Sequence, residues 1–271
     1  MTEGNTDNAT GSDGAPRGAP GGASGADAAL TGLGVRRLLR RIDRAALATG
    51  QRNAEGWPYP SLTLVALDHD ASPLLLISRL ADHTQNILQD DRVGLLFDGT
   101  AGLAEPLSGP RVTVLGRARR SDDPRHRRRF LARHPGSAGY AVFADFAIYR
   151  VEIERVHLVG GFGRVRWFDA AQVRCDRSLD GDAGGDAEAG LLTAFAEDCP
   201  DGASRLAGGA GDWALIGLDP EGCDLRGNGQ VLRLDFETPV GDVETVRAEL
   251  TRLLRHADRL REEGSPINGT P

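Results

Sequence analysis

The residues best placed to do chemistry lie in one short segment. Ser78 and Arg79 close an apolar run, and Asp82-His83-Thr84-Gln85 follows three residues later. An acidic residue with Gln three positions on is the pattern of a capping box. It predicts a short helix that starts at Asp82 and carries Ile87 and Leu88. The first turn of a helix presents unpaired N–H groups and the positive end of its dipole, which suits a phosphate. The Ser78 hydroxyl and the Arg79 guanidinium, about one turn away, would complete a phosphate cradle. The other reading is a strand-to-helix turn whose polar groups only cap it. A second candidate is VGGFGR, Val159 to Arg164, where glycines let the backbone approach a ligand or partner and Arg164 or Arg166 can reach an anionic group. Its alternative is a glycine-rich strand end at a subunit contact. Trp167 beside it either stacks on a ring or packs in the core. GFGRVR is not a dinucleotide fingerprint, because the third glycine and the following helix are missing.

Composition narrows the chemistry. The chain has 271 residues, a net charge of −7 and not one lysine. Schiff-base and P-loop lysine mechanisms are therefore excluded, and no nucleic-acid partner is expected. The cysteines, Cys175, Cys199 and Cys223, form no C-x-x-C pair, which argues against a disulfide framework or zinc site and for a reducing, cytoplasmic setting. No apolar run is long enough to span a membrane, and the first residues lack a signal-peptide core.

These residues must be positioned by elements legible in the pattern. The apolar residues Leu30, Leu33, Leu38, Leu39, Ile42, Ala45 and Ala46 predict a helix over Leu30–Leu47. Its other face, Arg36, Arg37, Arg40, Arg41 and Arg44, is either solvated or an anion or partner contact. Short apolar runs then alternate with turn residues: AALAT, PSLTLVALD, SPLLLIS and RVGLLF read as strands. RVTVLGRARR reads as a long strand with a bulge or close approach at Gly116. Asp123 and Pro124 are an N-cap and first-turn pair for a basic helix, a plainer use of Asp122, Asp123 and RHRRR than an acid–base pair or nucleic-acid patch. Two more strands follow, up to Phe168. Many short strands with few helices predict a closed or nearly closed barrel. The expected layout is a disordered tail over 1–27, the barrel over 28–170, an acidic linker over 171–190, a small α+β domain over 191–261 and a disordered tail over 262–271. The last helix has Asp242 as its cap.

RVTVLGRARR, LLLISRLADHTQNILQDDRVGLLF and FADFAIYRVEIERVHLVGGFGR resemble the FMN-binding split-barrel proteins of the pyridoxamine 5′-phosphate oxidase-like superfamily. The full layout, with GLDPEGCDLRGNGQVLRLDF in the small domain, is similar to its haem-utilisation (HugZ-like) branch. The resemblance covers about residues 30–260. It implies a mainly β fold with added helices: a split barrel of six or so strands, followed by a small α+β domain. It implies FMN as cofactor, a small-molecule substrate and a homodimer with the cofactor between subunits. The strand at Ser61, Leu62 and Thr63 would run along the flavin, Ser78 and Arg79 would meet its phosphate, and His83, Thr84 and Gln85 would lie at the cradle helix. The family usually has Arg or Lys at the position of Gln85. That departure removes a charge-assisted contact worth about 1.5–3 kcal/mol.

The function implied is a flavin-dependent oxidoreductase. The first alternative is haem binding or haem breakdown on the same scaffold, with Arg164 or Arg166 available to a propionate. Haem needs an iron ligand. His69 in a turn, and His126 and His134 in the basic helix, are expected to be solvated, and His157 to pack within a strand. His256 on the last helix is the candidate ligand. Related small domains often open with a histidine-rich segment, and AFAEDCPDGASRL here has none. The second alternative is a non-catalytic sensor. No residue stands out as an acid–base catalyst.

Overall fold

A computed structural model describes residues 30–177, 179, 186–209 and 211–263. The expected tail 1–27 and most of the tail 262–271 lie outside these residues, as do Ser178 and residues 180–185 of the expected linker.

Helix α1 (Gly32–Arg41) opens the barrel domain, with the Thr31 hydroxyl accepting from Gly34 N at 3.1 Å as its cap. It ends well before Leu47. Ile42 is already extended, and Ala45 and Leu47 point inward from strand β1 (Arg44–Gly50). An alternating strand and a helix stripe share the residues Ala45 and Ala46, so local periodicity overran the boundary. Strands β2 (Pro58–Leu64), β3 (Ala66–Leu67) and β4 (Pro73–Ser78) lead into helix α2 (Asp82–Gln89), β5 (Arg92–Asp98), β6 (Arg111–Ser121), helix α3 (Pro124–Arg133), the short α4 (Ala138–Ala141), β7 (Phe146–Val159) and β8 (Val165–Asp169).

All pairings are antiparallel, in the order β2-β1-β5-β6-β7-β4-β3, with β8 added beside β7. The two ends of this order, β2 and β3, are one chain segment bent at Val65. The sheet therefore closes on itself, leaving few unpaired edges. The split barrel expected from the sequence is present. Its interior is filled by side chains such as Leu47, Leu75, Leu95, Phe97, Val114 and Val151, each fully buried. Gly116 sits at a register shift between β6 and β7, where a β-carbon would meet the Glu152 carbonyl oxygen at 2.2 Å. The bulge read from the sequence is real.

The short α5 (Ala170–Val173) leads to the second domain. Helix α6 (Ala187–Asp198), the short α7 (Gly202–Leu206), a three-stranded sheet of β9 (Trp213–Asp219), β10 (Gly222–Gly227) and β11 (Gln230–Asp235), and helix α8 (Val243–Glu262) form it. Asp242 caps α8, accepting from Thr245 N at 2.8 Å. Helix α6 starts at Ala187, inside the segment expected to be linker.

The two domains meet through buried charge. The arginine face of α1 turns out to be a partner contact, and the partner is the chain's own second domain. Arg36 pairs with Glu221 at 2.7 Å, Arg40 with Asp219 at 3.0 Å, and Arg37 and Arg41 with Asp235 at 3.2 and 3.3 Å. From α3, Arg129 binds Glu188 and the Leu218 carbonyl, and Arg128 binds Glu188 at 2.8 Å. Burial raises the Glu188 carboxyl, but Arg129 and His69 outweigh it and lower it to about 2. A buried charge is tolerated only when paired in this way.

Three expectations are corrected by buried contacts, one of them in this network. His69 is buried, with Nε2 3.2 Å from Glu188, and His126 is buried, with Nε2 3.0 Å from Asp68 and Nδ1 2.7 Å from Ser121. His134 is buried against Phe130, with Nε2 donating to the Val65 carbonyl at 2.9 Å. A basic helix looks solvated in sequence because the carboxylates that neutralise it lie elsewhere in the chain.

Candidate functional site

Strand β4 ends at Ser78, and the turn to α2 is pinned by Asp145. The Ser78 hydroxyl donates to the Asp145 carboxylate and accepts from Leu80 N at 3.0 Å, while Arg79 N donates to the Asp145 carbonyl at 2.7 Å. The expected capping box is absent. Ala81 is the N-cap, without a side-chain bond, and Asp82 is the first helical residue. Gln85 is therefore one position past the site from which it could reach back to the cap. Its amide bridges instead: Nε2 donates to the Arg79 carbonyl at 2.6 Å, and Oε1 accepts from Arg52 Nη1 at 2.9 Å.

Asn86 completes this corner, a role the sequence reading missed. It is 1 % exposed, accepts from Arg52 N at 2.9 Å and donates to the Thr49 hydroxyl at 2.9 Å. An amide next to Ile87 on the buried side of a short helix was the available signal. Thr84 is fully buried and its hydroxyl has no hydrogen-bond partner; His83 Nε2 is likewise sealed without one. Burial lowers the His83 pKa, with Asp82 opposing.

Beside this turn, at the mouth of the barrel, is an open cleft of ≈ 580 Å³. Its apolar wall is Ile87, Leu88, Ala118 and Ala147, and Tyr149 lies against it. Arg79, Arg119 and Arg120 supply positive charge, and Asp91 and Asp145 negative charge. Arg119 pairs with Asp91 and Glu152, both at 3.3 Å, and Arg120 with the exposed Asp122 at 3.2 Å. No described carboxylate pairs with the Arg79 guanidinium. Tyr149 is 7 % exposed, and its hydroxyl has no hydrogen-bond partner among the described residues. Burial raises the phenol's pKa and Arg120 partly opposes this. A cleft of this size and lining suits a small apolar molecule bearing acidic groups.

The other predicted site residues are not gathered here. Ser61 and Thr63 turn inward from β2, where their hydroxyls make long bonds of 3.5 and 3.4 Å to the carbonyls of Leu47 and Ala45. Arg164 lies in the β7–β8 turn. Phe146, at the start of β7, pairs with Ser78, so roughly 40 Å of strand separates Arg164 from the cradle. The glycines before it serve that turn, with φ of 116° at Gly161 and 71° at Gly163, and the close backbone approach is to Ser108 of the same chain. Trp167 is 47 % exposed and stacks on His157 with centroids 4.4 Å apart, so it is not a core residue. His256 is exposed on α8 and does not line the cleft.

Residues 34–160 match the family described as pyridoxamine 5′-phosphate oxidase. The matched stretch lies within the barrel domain. A stretch of 130 residues is 34 % identical to the non-canonical heme oxygenase HOZ, chloroplastic, of Arabidopsis thaliana; it is 47 % of this chain and only 39 % of that relative's length. The protein Atu2129 of Agrobacterium tumefaciens, of unknown function, superposes with a TM-score of 0.67 at 27 % identity, covering 88 % of this chain and 97 % of its own. A heme binding protein from Mycobacterium smegmatis gives a TM-score of 0.50 at 24 % identity, covering 85 % of this chain and 98 % of its own. Both matches extend over the second domain as well as the barrel, the layout expected of the haem-utilisation branch. Among the described residues no helix is long and apolar enough to cross a membrane.

Proposed function

We propose that this protein binds haem, with the cleft at the barrel mouth as its site. The observation that carries the reading is the lining: an apolar wall for a porphyrin and three arginines, one of them without a carboxylate partner, for its two propionates. The Arabidopsis relative, a non-canonical heme oxygenase, supports the same choice. FMN fits less well. Its phosphate would have to bind where the Ser78 hydroxyl is committed to Asp145, where Asp82 and Asp145 both bring negative charge, and where Gln85 replaces a cation.

Titration with haemin tests the reading. A saturable Soret band is expected, and Arg79→Ala is expected to weaken binding by about tenfold or more, the value of one hydrogen bond to a charged group. Absence of any Soret change, with tight uptake of FMN instead, would return the site to flavin. The relative's activity extends the reading to oxidative turnover; decay of the band with reductant and O₂ is its measurement.

A homodimer belongs to the same proposal. One row crosses the outer face of the sheet in register: Leu62, Ala46, Leu96, Thr113, His157 and Trp167. Leu62 is 73 % and Leu96 42 % exposed, an unusual apolar patch for a free monomer. A second copy laid on this face would bury it. Leu96→Glu is expected to shift the mass measured by light scattering from dimer to monomer while the barrel stays folded.

A further inference from the structure

We infer that Tyr149 is the residue through which the protein ligates the haem iron; this rests on the haem reading above. The argument is one of elimination within the cleft. Iron needs a nitrogen, sulfur or oxygen ligand from the protein. None of the six histidines lines the cleft. His69 is bound to Glu188, His126 to Asp68 and His134 to the Val65 carbonyl, and the His83 Nε2 is sealed. His157 stacks on Trp167 at the outer face, and His256 is on the second domain's helix. The two carboxylates of the cleft are also engaged: Asp145 by Ser78, and Asp91 by Arg117 at 2.5 Å and by Arg119.

Tyr149 differs from all of these. Its ring is fixed in the core beside Ala118 and Val151, and it lines the cleft. A buried tyrosine hydroxyl normally finds a hydrogen-bond partner. This one has none among the described residues, yet it is not one of the sealed polar atoms, so it keeps its access to the cleft. Arg120 stands directly opposite Tyr149 across β6 and β7, and its charge partly opposes the rise in pKa that burial imposes on the phenol. Tyr149 would hold the iron through its phenolic oxygen, and the phenol would give up its proton to solvent on doing so.

The test is haemin titration of the full chain followed by absorbance and resonance Raman spectra, for the wild type, Tyr149→Phe and Tyr149→His. The wild type is expected to show phenolate-ligated ferric haem. Tyr149→Phe is expected to lose the phenolate modes and to bind on the order of tenfold more weakly. Tyr149→His is expected to restore tight binding with an imidazole-type spectrum, which shows that a weakened Phe variant was not simply unfolded. Wild-type binding that is unchanged in Tyr149→Phe, or abolished instead in a histidine variant, overturns the ligand assignment and leaves the haem reading standing. Failure of the wild type to bind haemin overturns both.

Discussion

Asp219→Ala is expected to destabilise the protein by about 3–5 kcal/mol, the cost of leaving buried charge uncompensated. Asp219 is fully buried at the end of β9. It accepts from Arg233 at 2.5 and 2.9 Å, pairs with Arg40 at 3.0 Å and accepts from Glu221 N at 2.9 Å. Burial alone would raise its pKa; Arg233 and Arg40 outweigh that and hold it well below the usual carboxylate range. Without the carboxylate, Arg40 and Arg233 are two buried cations facing each other, one from each domain, left only with the longer carboxylate contacts to Glu221 at 3.7 Å and to Asp224 and Asp235 at 3.4 and 3.3 Å. Neither can reach water, since they are 3 % and 9 % exposed. Urea unfolding monitored by far-UV circular dichroism measures the loss. The double variant Asp219→Ala/Arg40→Met is expected to recover part of it, because one of the stranded charges is then gone. Equal loss in the single and double variants would show that Asp219 acts through its backbone partner and not through the arginines.

Gly116→Ala is expected to cost about 2–3 kcal/mol, at the upper end of overpacking effects. The added methyl would lie 2.2 Å from the Glu152 carbonyl oxygen and 3.2 Å from Val151 Cγ1. Neither neighbour can swing away. The carbonyl belongs to β7, which pairs with β6 on both sides of the bulge, and Val151 is fully buried. The strands would have to part at the bulge, on the opposite edge of β7 from its pairing with β4. Thermal unfolding checks the loss, and Gly94→Ala is the control. Gly94 is in the adjoining strand β5 with side-chain neighbours no closer than 3.5 Å, and its substitution is expected to change stability far less. Equal losses at the two positions would mean that the close approach at Gly116 is not what matters.

Gly116 also marks where sequence reading works. A glycine inside an alternating strand signals a bulge because the cause is local: side chains two residues apart share a face, and only glycine fits a close approach. The strands themselves, the Asp123–Pro124 start of α3 and the Asp242 cap of α8 were legible for the same reason. Each depends on residues within four positions of one another.

The site was legible only in part. Ser78, Arg79 and Gln85 do meet at one turn, as their spacing implies. That Asp145 occupies the Ser78 hydroxyl, and that Arg52 binds the amide of Gln85, depends on contacts spanning 67 and 33 residues. Tyr149 was not singled out by the sequence. Its hydroxyl matters only because β6, β7 and α2 diverge beside it and leave a cleft. The arginines of α1 show the same limit most plainly. Their helical face was evident, but Arg36 meets Glu221 across 185 residues. Sequence by itself determined most of the elements, the Asp123 and Asp242 caps and the bulge, all set by neighbours along the chain. Closure of the barrel and docking of the second domain decided which charges are buried, which are paired and which polar group is left open to a ligand. Those outcomes follow from groups brought together in space, and periodicity along a chain carries no record of them.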